Sequence, residues 1–150
     1  MKKFITLAVL IVAFALSAFS ADMTTVWSQY KTYDGFMVAE VSPEKAQKNG
    51  FEELSVALNS APTTAQIDNA KRLAATIDEN QKITSVNRNG VEVSVFAAPA
   101  VADGSLFKLL ILVNKNDNAD KALMVLYGTC TPQNLENAMQ NLSLEDIIGA

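Results

Sequence analysis

The feature that most restricts the fold of this chain is a change of period. From Ile83 onward the apolar residues leave helical spacing and alternate, and Asn89-Gly90 stands between two alternating runs, 83–88 and 91–96. Alternation at period two sends successive side chains to opposite faces of a strand. Asn-Gly is the pair that most readily takes the positive φ angles of a two-residue type I′ hairpin turn. Val91, Val93 and Val95 share one face, with Glu92, Ser94 and Phe96 on the other, which describes a half-buried antiparallel strand. Asp103-Gly104-Ser105 turns the chain again. Two long apolar strands, 106–113 and 121–128, follow, joined across the polar stretch 114–118. The expectation is a four-strand meander. The strand at 106–113 is apolar on both faces and therefore belongs near the centre of the sheet.

The segments before Ile83 read mostly as helix. Asp22 is positioned to cap a helix whose Met23, Val26, Trp27 and Tyr30 fall at i, i+3, i+4 and i+7 on one face. Asp34-Gly35 ends that piece, and 36–41 reads as a strand. Ser42-Pro43-Glu44 then provides a cap, a first-turn proline and an early acid for a second helix, interrupted at Gly50. Phe51, Leu54 and Leu58 resume helical spacing. After Pro62, Thr63 and Gln66 have capping-box spacing for a third helix with Ile67, Ala70, Ala74 and Ile77 facing inward. Thr131-Pro132 opens a closing helix with Leu135, Ala138, Met139 and Leu142 inward. Helices, then hairpin-linked strands, then a helix specify an α+β domain: an antiparallel meander sheet of four to five strands with helices packed on one face.

A second feature fixes where such a chain works. Lys2 and Lys3 precede an apolar run from Phe4 to Phe19, which ends in small residues. That pattern reads as a cleavable secretory signal, in preference to a buried core helix or a retained membrane anchor, because it is short of the roughly 20 apolar residues that span a bilayer comfortably. Cleavage after Ser20 places small side chains at Ala18 and Ser20 and starts the mature chain at Ala21. The organisation expected is a signal peptide over 1–20 and one α+β domain over 21–150. No cysteine stands at the new N-terminus to accept a lipid, so the product expected is periplasmic or secreted, without a stable membrane anchor, and not a lipoprotein. Cys130 is the sole cysteine and has no partner for an intrachain disulfide. It reads as a small buried apolar side chain.

Composition narrows the chemistry. Losing Lys2 and Lys3 moves the formal charge from −4 to −6, and the remaining basic residues are scattered, so phosphate backbones find no cluster to bind and nucleic acid is not an expected partner. The chain has no histidine. That removes the commonest general base, the His-dependent nucleophiles and most transition-metal sites, and no Gly-rich phosphate loop is present. Asn114, Asn116, Asn118 and Asp120 alternate as a calcium loop begins, but Ala119 and Val125 stand where its glycine and bidentate acid belong. The adjacent acids Glu52-Glu53, Asp78-Glu79 and Glu145-Asp146 do not face one another on a helix and read as solvated surface. No catalytic residue, cofactor or metal site is nominated. Trp27, Tyr30 and Tyr33 form an aromatic group at the mature N-terminus that reads either as core packing or as a platform for carbohydrate or peptide.

The signal, the Trp27-Ser-Gln-Tyr30-Lys31 helix, the Val41-Ser42-Pro43 corner, the Val91-Glu-Val-Ser-Val95 strand, Leu106-Phe-Lys-Leu-Leu-Ile-Leu-Val113 and Val125-Leu-Tyr-Gly128 together resemble the domain of unknown function 4252 family. That resemblance implies a small exported protein of a kind typical of Bacteroidetes. Members are often lipoproteins, a form this chain departs from, and the resemblance transfers no activity or functional residue. Three functions follow as expectations: a non-enzymatic envelope module acting through protein contact, a carrier of a small hydrophobic ligand, and a hydrolase built on carboxylates.

Overall fold

A computed structural model describes residues 22–88, 90–117 and 120–135. The signal reading, with Ser20 and Ala21, lies outside these residues, as does most of the closing helix. Of that helix, 132–135 is described and helical. The order of elements is α1 (Met23–Tyr30), β1 (Met37–Glu40), α2 (Pro43–Lys48), β2 (Glu53–Asn59), α3 (Thr64–Ala74), a single 3-10 turn (Glu79–Gln81), β3 (Lys82–Arg88), β4 (Val91–Pro99), β5 (Phe107–Asp117) and β6 (Asp120–Cys130). All six strands join one antiparallel sheet in the order β1-β2-β6-β5-β4-β3.

The meander β3 to β6 forms as the alternation requires. Arg88 lies opposite Val91 across the two-residue turn, and Gly90 takes φ +81° there. Strands β5 and β6 occupy the middle, where an element apolar on both faces belongs. Both run further than their apolar stretches: Asn114, Lys115 and Asn116 continue β5 opposite Leu123, Ala122 and Lys121, so they are strand and not turn.

Two further expectations need correcting. The sheet has six strands, not four to five, because 53–59 is strand β2 and not helix. The spacing of Phe51, Leu54 and Leu58 fits a helix, but Leu54, Val56 and Leu58 also alternate, and pairing on both sides with β1 and β6 decides between the periods. Nor are helices confined to one face. On the first face α1 and α3 place Met23, Val26, Trp27, Tyr30, Ile67 and Ala70 against Phe96, Leu110, Leu112, Leu123 and Val125. On the second face Ala46 of α2, Phe51 and Leu135 join a core built from Leu54, Val56, Val95, Leu109, Ile111, Met124, Leu126 and Cys130. Burying both faces is why the middle of each central strand is apolar on both sides.

Local signals anchor the first layer. Asp22 caps α1 by accepting from the Thr24 N–H at 3.0 Å, and its carboxylate also accepts from Lys108 Nζ of β5 at 3.0 and 3.3 Å. Lys108 donates to Thr24 Oγ1 at 3.1 Å as well, and that oxygen lies 2.7 Å from the Tyr127 hydroxyl. One small polar network thus ties the start of the helix to the central strands. The capping box at Thr63 and Gln66 is complete, and Gln66 Oε1 also accepts from Asn59 Nδ2, which joins α3 to the end of β2.

Candidate functional site

The aromatic group divides between core and boundary. Trp27 is buried and stacks on Tyr127, with ring centroids 5.5 Å apart and planes 12° apart. Tyr30 is fully buried, donates its hydroxyl to the Ala70 carbonyl at 2.6 Å and meets Tyr33 and Phe36 edge to face. Burial pushes its phenol well above the ordinary value. Tyr33 is half-buried beside it. The structure brings the three residues together, but as packing between α1, α3 and the sheet, with no ring of Trp27 or Tyr30 open to a ligand. The same side chains fill the space between helices and sheet that a buried hydrophobe would need.

Cys130 lies in the second core, and burial, with the charge of Glu52 adding, pushes its thiol up to about 11. It stays protonated at neutral pH and is a poor nucleophile. Asp78 caps the 3-10 turn through the Asn80 N–H, while Glu52, Glu53 and Glu79 are exposed, and Glu145-Asp146 lies outside the described residues. Among the described residues no group of His, Cys, Asp or Glu is placed to hold a metal ion. None of their helices is long and apolar enough to cross a membrane.

Where the sequence reading saw only a strand, the structure shows an open edge. Strand β1 pairs with β2 on one side, through Met37 with Leu58, Val38 with Ala57, Ala39 with Val56 and Glu40 with Ser55, and ends the sheet on the other. All four of its residues are exposed, Met37 at 78% and Val38 at 44%. An edge strand leaves half of its backbone donors and acceptors without a sheet partner, a row that another extended segment can complete. The opposite edge, β3, starts with Lys82 and is interrupted by a register shift between Lys82 and Thr84, although it too exposes an apolar side chain, Ile83 at 46%. Against pairing, strand β1 has only its shortness and Glu40.

Beside the end of β1 lies a hollow of about 340 Å³ between this strand, the Pro43 corner and the start of β2. Glu40, Glu52 and Glu53 line it together with Val41 and Leu54. Among the described residues no basic side chain does. The edge therefore presents two exposed apolar side chains followed by three carboxylates. Glu40 ends β1, Glu53 begins β2 and Glu52 directly precedes it, so Glu52-Glu53 gains a third acid only because β1 lies beside β2.

No protein-family model, curated protein or solved structure matches this chain.

Proposed function

We propose that this protein is a non-enzymatic binding module of the cell envelope that recognises an extended segment of a partner protein along β1. The observation that carries the reading is the exposed, uncharged start of an edge strand running into an acidic hollow. A partner strand laid along β1 supplies the missing backbone hydrogen bonds. Its apolar side chains cover Met37 and Val38, and its basic side chains meet Glu40, Glu52 and Glu53. Main-chain pairing gives such a contact affinity, and side-chain fit gives it specificity. Placement in the envelope rests on the signal at 1–20, and membership of the domain of unknown function 4252 family belongs to the same proposal.

The test is site-specific photocrosslinking in cells, with the probe at Val38 and, as the control edge, at Ile83. The expected result is one partner crosslinked from Val38 and not from Ile83, through a peptide carrying Lys or Arg. Adding Glu40→Lys should abolish that product. Equal labelling from both edges, or products formed only between copies of this chain, would refute recognition at β1.

A further inference from the structure

The hydrogen-bond phase of β1 fixes which of its backbone groups face the open edge. Just past the strand, the Val41 N–H donates to the Leu54 carbonyl at 2.9 Å. In an antiparallel pair, residues whose N–H and C=O point at the partner strand alternate with residues whose groups point away from it. Counting back from Val41, Ala39 and Met37 turn theirs towards β2, opposite Val56 and Leu58. Val38 and Glu40 turn theirs outward. The open edge therefore presents two N–H and two C=O groups within a span of three residues.

The same register divides the side chains. Glu40 lies opposite Ser55 and Val38 opposite Ala57, which belongs to the core beneath α1 and α3, so Val38 and Glu40 share the first face. Glu53 stands two residues from Ser55 on β2 and turns to that face as well. Met37 and Ala39, opposite Leu58 and Val56, belong to the second face. Lys45 and Lys48 of α2 do not line the hollow that holds Glu40, Glu52 and Glu53. The two outward-bonding residues thus differ in chemistry, apolar at Val38 and acidic at Glu40.

Given recognition at β1, on which this inference rests, we propose that the partner segment runs antiparallel to β1 and carries lysine or arginine two positions before an apolar residue. An antiparallel strand meets the four outward groups with two of its residues, one opposite Glu40 and one opposite Val38. A parallel strand would need three alternate residues over a span of five. That span runs past Glu40, where β1 ends and Ser42 begins to turn the chain into α2. In the antiparallel alignment the residue opposite Glu40 comes first in the partner's sequence. A lysine or arginine there pairs across the strands with Glu40 and lies near Glu53. The next three residues oppose Ala39, Val38 and Met37. Apolar side chains at the last two cover Val38 and Met37, the latter 78% exposed. The recognised order is basic, any residue, apolar, apolar.

Amide chemical-shift titration of the purified protein with three peptides blocked at both ends tests that order. The first is lysine-threonine-valine-valine flanked by threonines, the second has the same residues reversed, and the third has glutamate for lysine. Saturable shifts centred on Met37–Glu40 are expected from the first, which should bind about fivefold tighter than the reversed peptide and about tenfold tighter than the glutamate peptide. Val38→Pro removes an outward N–H, and Ala39→Pro removes one directed at β2. Val38→Pro should weaken the first peptide about tenfold and leave the urea midpoint nearly unchanged, because an edge strand tolerates proline where the N–H faces solvent. Ala39→Pro should lower the midpoint. Equal or tighter binding of the reversed or the glutamate peptide overturns the recognised order and leaves β1 standing as the recognition edge. Unimpaired binding by Val38→Pro, or no saturable shift on β1 with any peptide, overturns the order and recognition at β1 together. A midpoint that falls as far in Val38→Pro as in Ala39→Pro refutes the outward phase.

Discussion

Tyr30 offers a test of the helix-to-sheet layer in which the sign of the effect reverses with pH. Tyr30→Phe keeps the ring and its edge-to-face contacts with Tyr33 and Phe36, and removes only the hydroxyl that donates to the Ala70 carbonyl at 2.6 Å. That carbonyl lies within α3 and keeps its helical i+4 donor. No buried acceptor is orphaned, so the cost at pH 7 should be ~1 kcal/mol, the net worth of one hydrogen bond. The alkaline side works oppositely. Burial raises the phenol above its ordinary 10.0 in the folded protein, whereas the unfolded chain ionises near that value. A raised folded pKa contributes stability that is complete below pH 10 and is lost as pH climbs towards the folded value. At pH 11 the unfolded chain has gained ~1.4 kcal/mol from ionising this one group. The phenylalanine variant has no such loss. Urea denaturation followed by circular dichroism should therefore show the variant less stable by ~1 kcal/mol at pH 7, equal near about pH 10.6 and slightly more stable at pH 11. Titrating groups other than Tyr33, whose charge couples to this phenol, are common to both proteins and cancel in the difference. A difference that stays constant from pH 7 to 11 would show that the phenol is not held protonated by the fold, and one above ~3 kcal/mol at pH 7 would show that more than the hydroxyl was lost.

Other sites give sharper but simpler expectations. A Cβ added at Gly128 meets the Glu53 carbonyl oxygen, Phe51 Cδ1 at 2.9 Å and Leu54 Cδ1 at 3.1 Å, and the pairing of β2 with β6 prevents retreat. Gly128→Ala should cost ~1–3 kcal/mol or more in urea unfolding; a neutral effect would mean that β2 does not pack on β6 as described. For Asp22, partial desolvation raises the carboxyl, but the hydrogen bonds from Lys108 and the Thr24 N–H prevail and hold it below 3.8. Its contribution is present above the unfolded value and lost as pH falls through the folded one, so wild type should lose part of its margin over Asp22→Ala between pH 4 and pH 2 in acid unfolding. A margin that does not shrink there would break the link to Lys108. Cys130 should resist thiol reagents at pH 7 in the native protein and react at once in urea, and rapid native labelling would contradict its burial.

Much of this architecture can be read from short-range patterns because the residues that set it act locally. Asp22, Ser42 and Thr63 cap their helices through neighbours two or three residues away. Met23, Val26, Trp27 and Tyr30 are the buried stripe their spacing describes. The meander follows from alternation and turn chemistry. What fails is decided at long range. The segment 53–59 satisfies both periods, and its choice of strand depends on β6, some seventy residues later. Coverage of the second face depends on α2, Phe51 and Leu135, none of which announces which side of the sheet it will meet.

Asn114 shows how a buried polar position hides in such a pattern. In a run of Asn-Lys-Asn-Asp-Asn it looks like turn chemistry, because polarity usually marks the place where strands stop. Yet Leu110, Leu112 and Asn114 continue one alternation, and the register carries that alternation two residues beyond Asn114, to Asn116 opposite Lys121. Period, not polarity, was the available signal. A buried strand position that is polar, lacks a partner and faces a cavity imposes a stability cost that the fold alone does not explain. The edge at β1 has the same character, since Met37 and Val38 are apolar where a guarded edge would carry charge. In both places a residue departs from what folding by itself would select. The two departures lie on different strands, β1 at the edge and β5 in the middle of the sheet, so each can be altered by mutation separately.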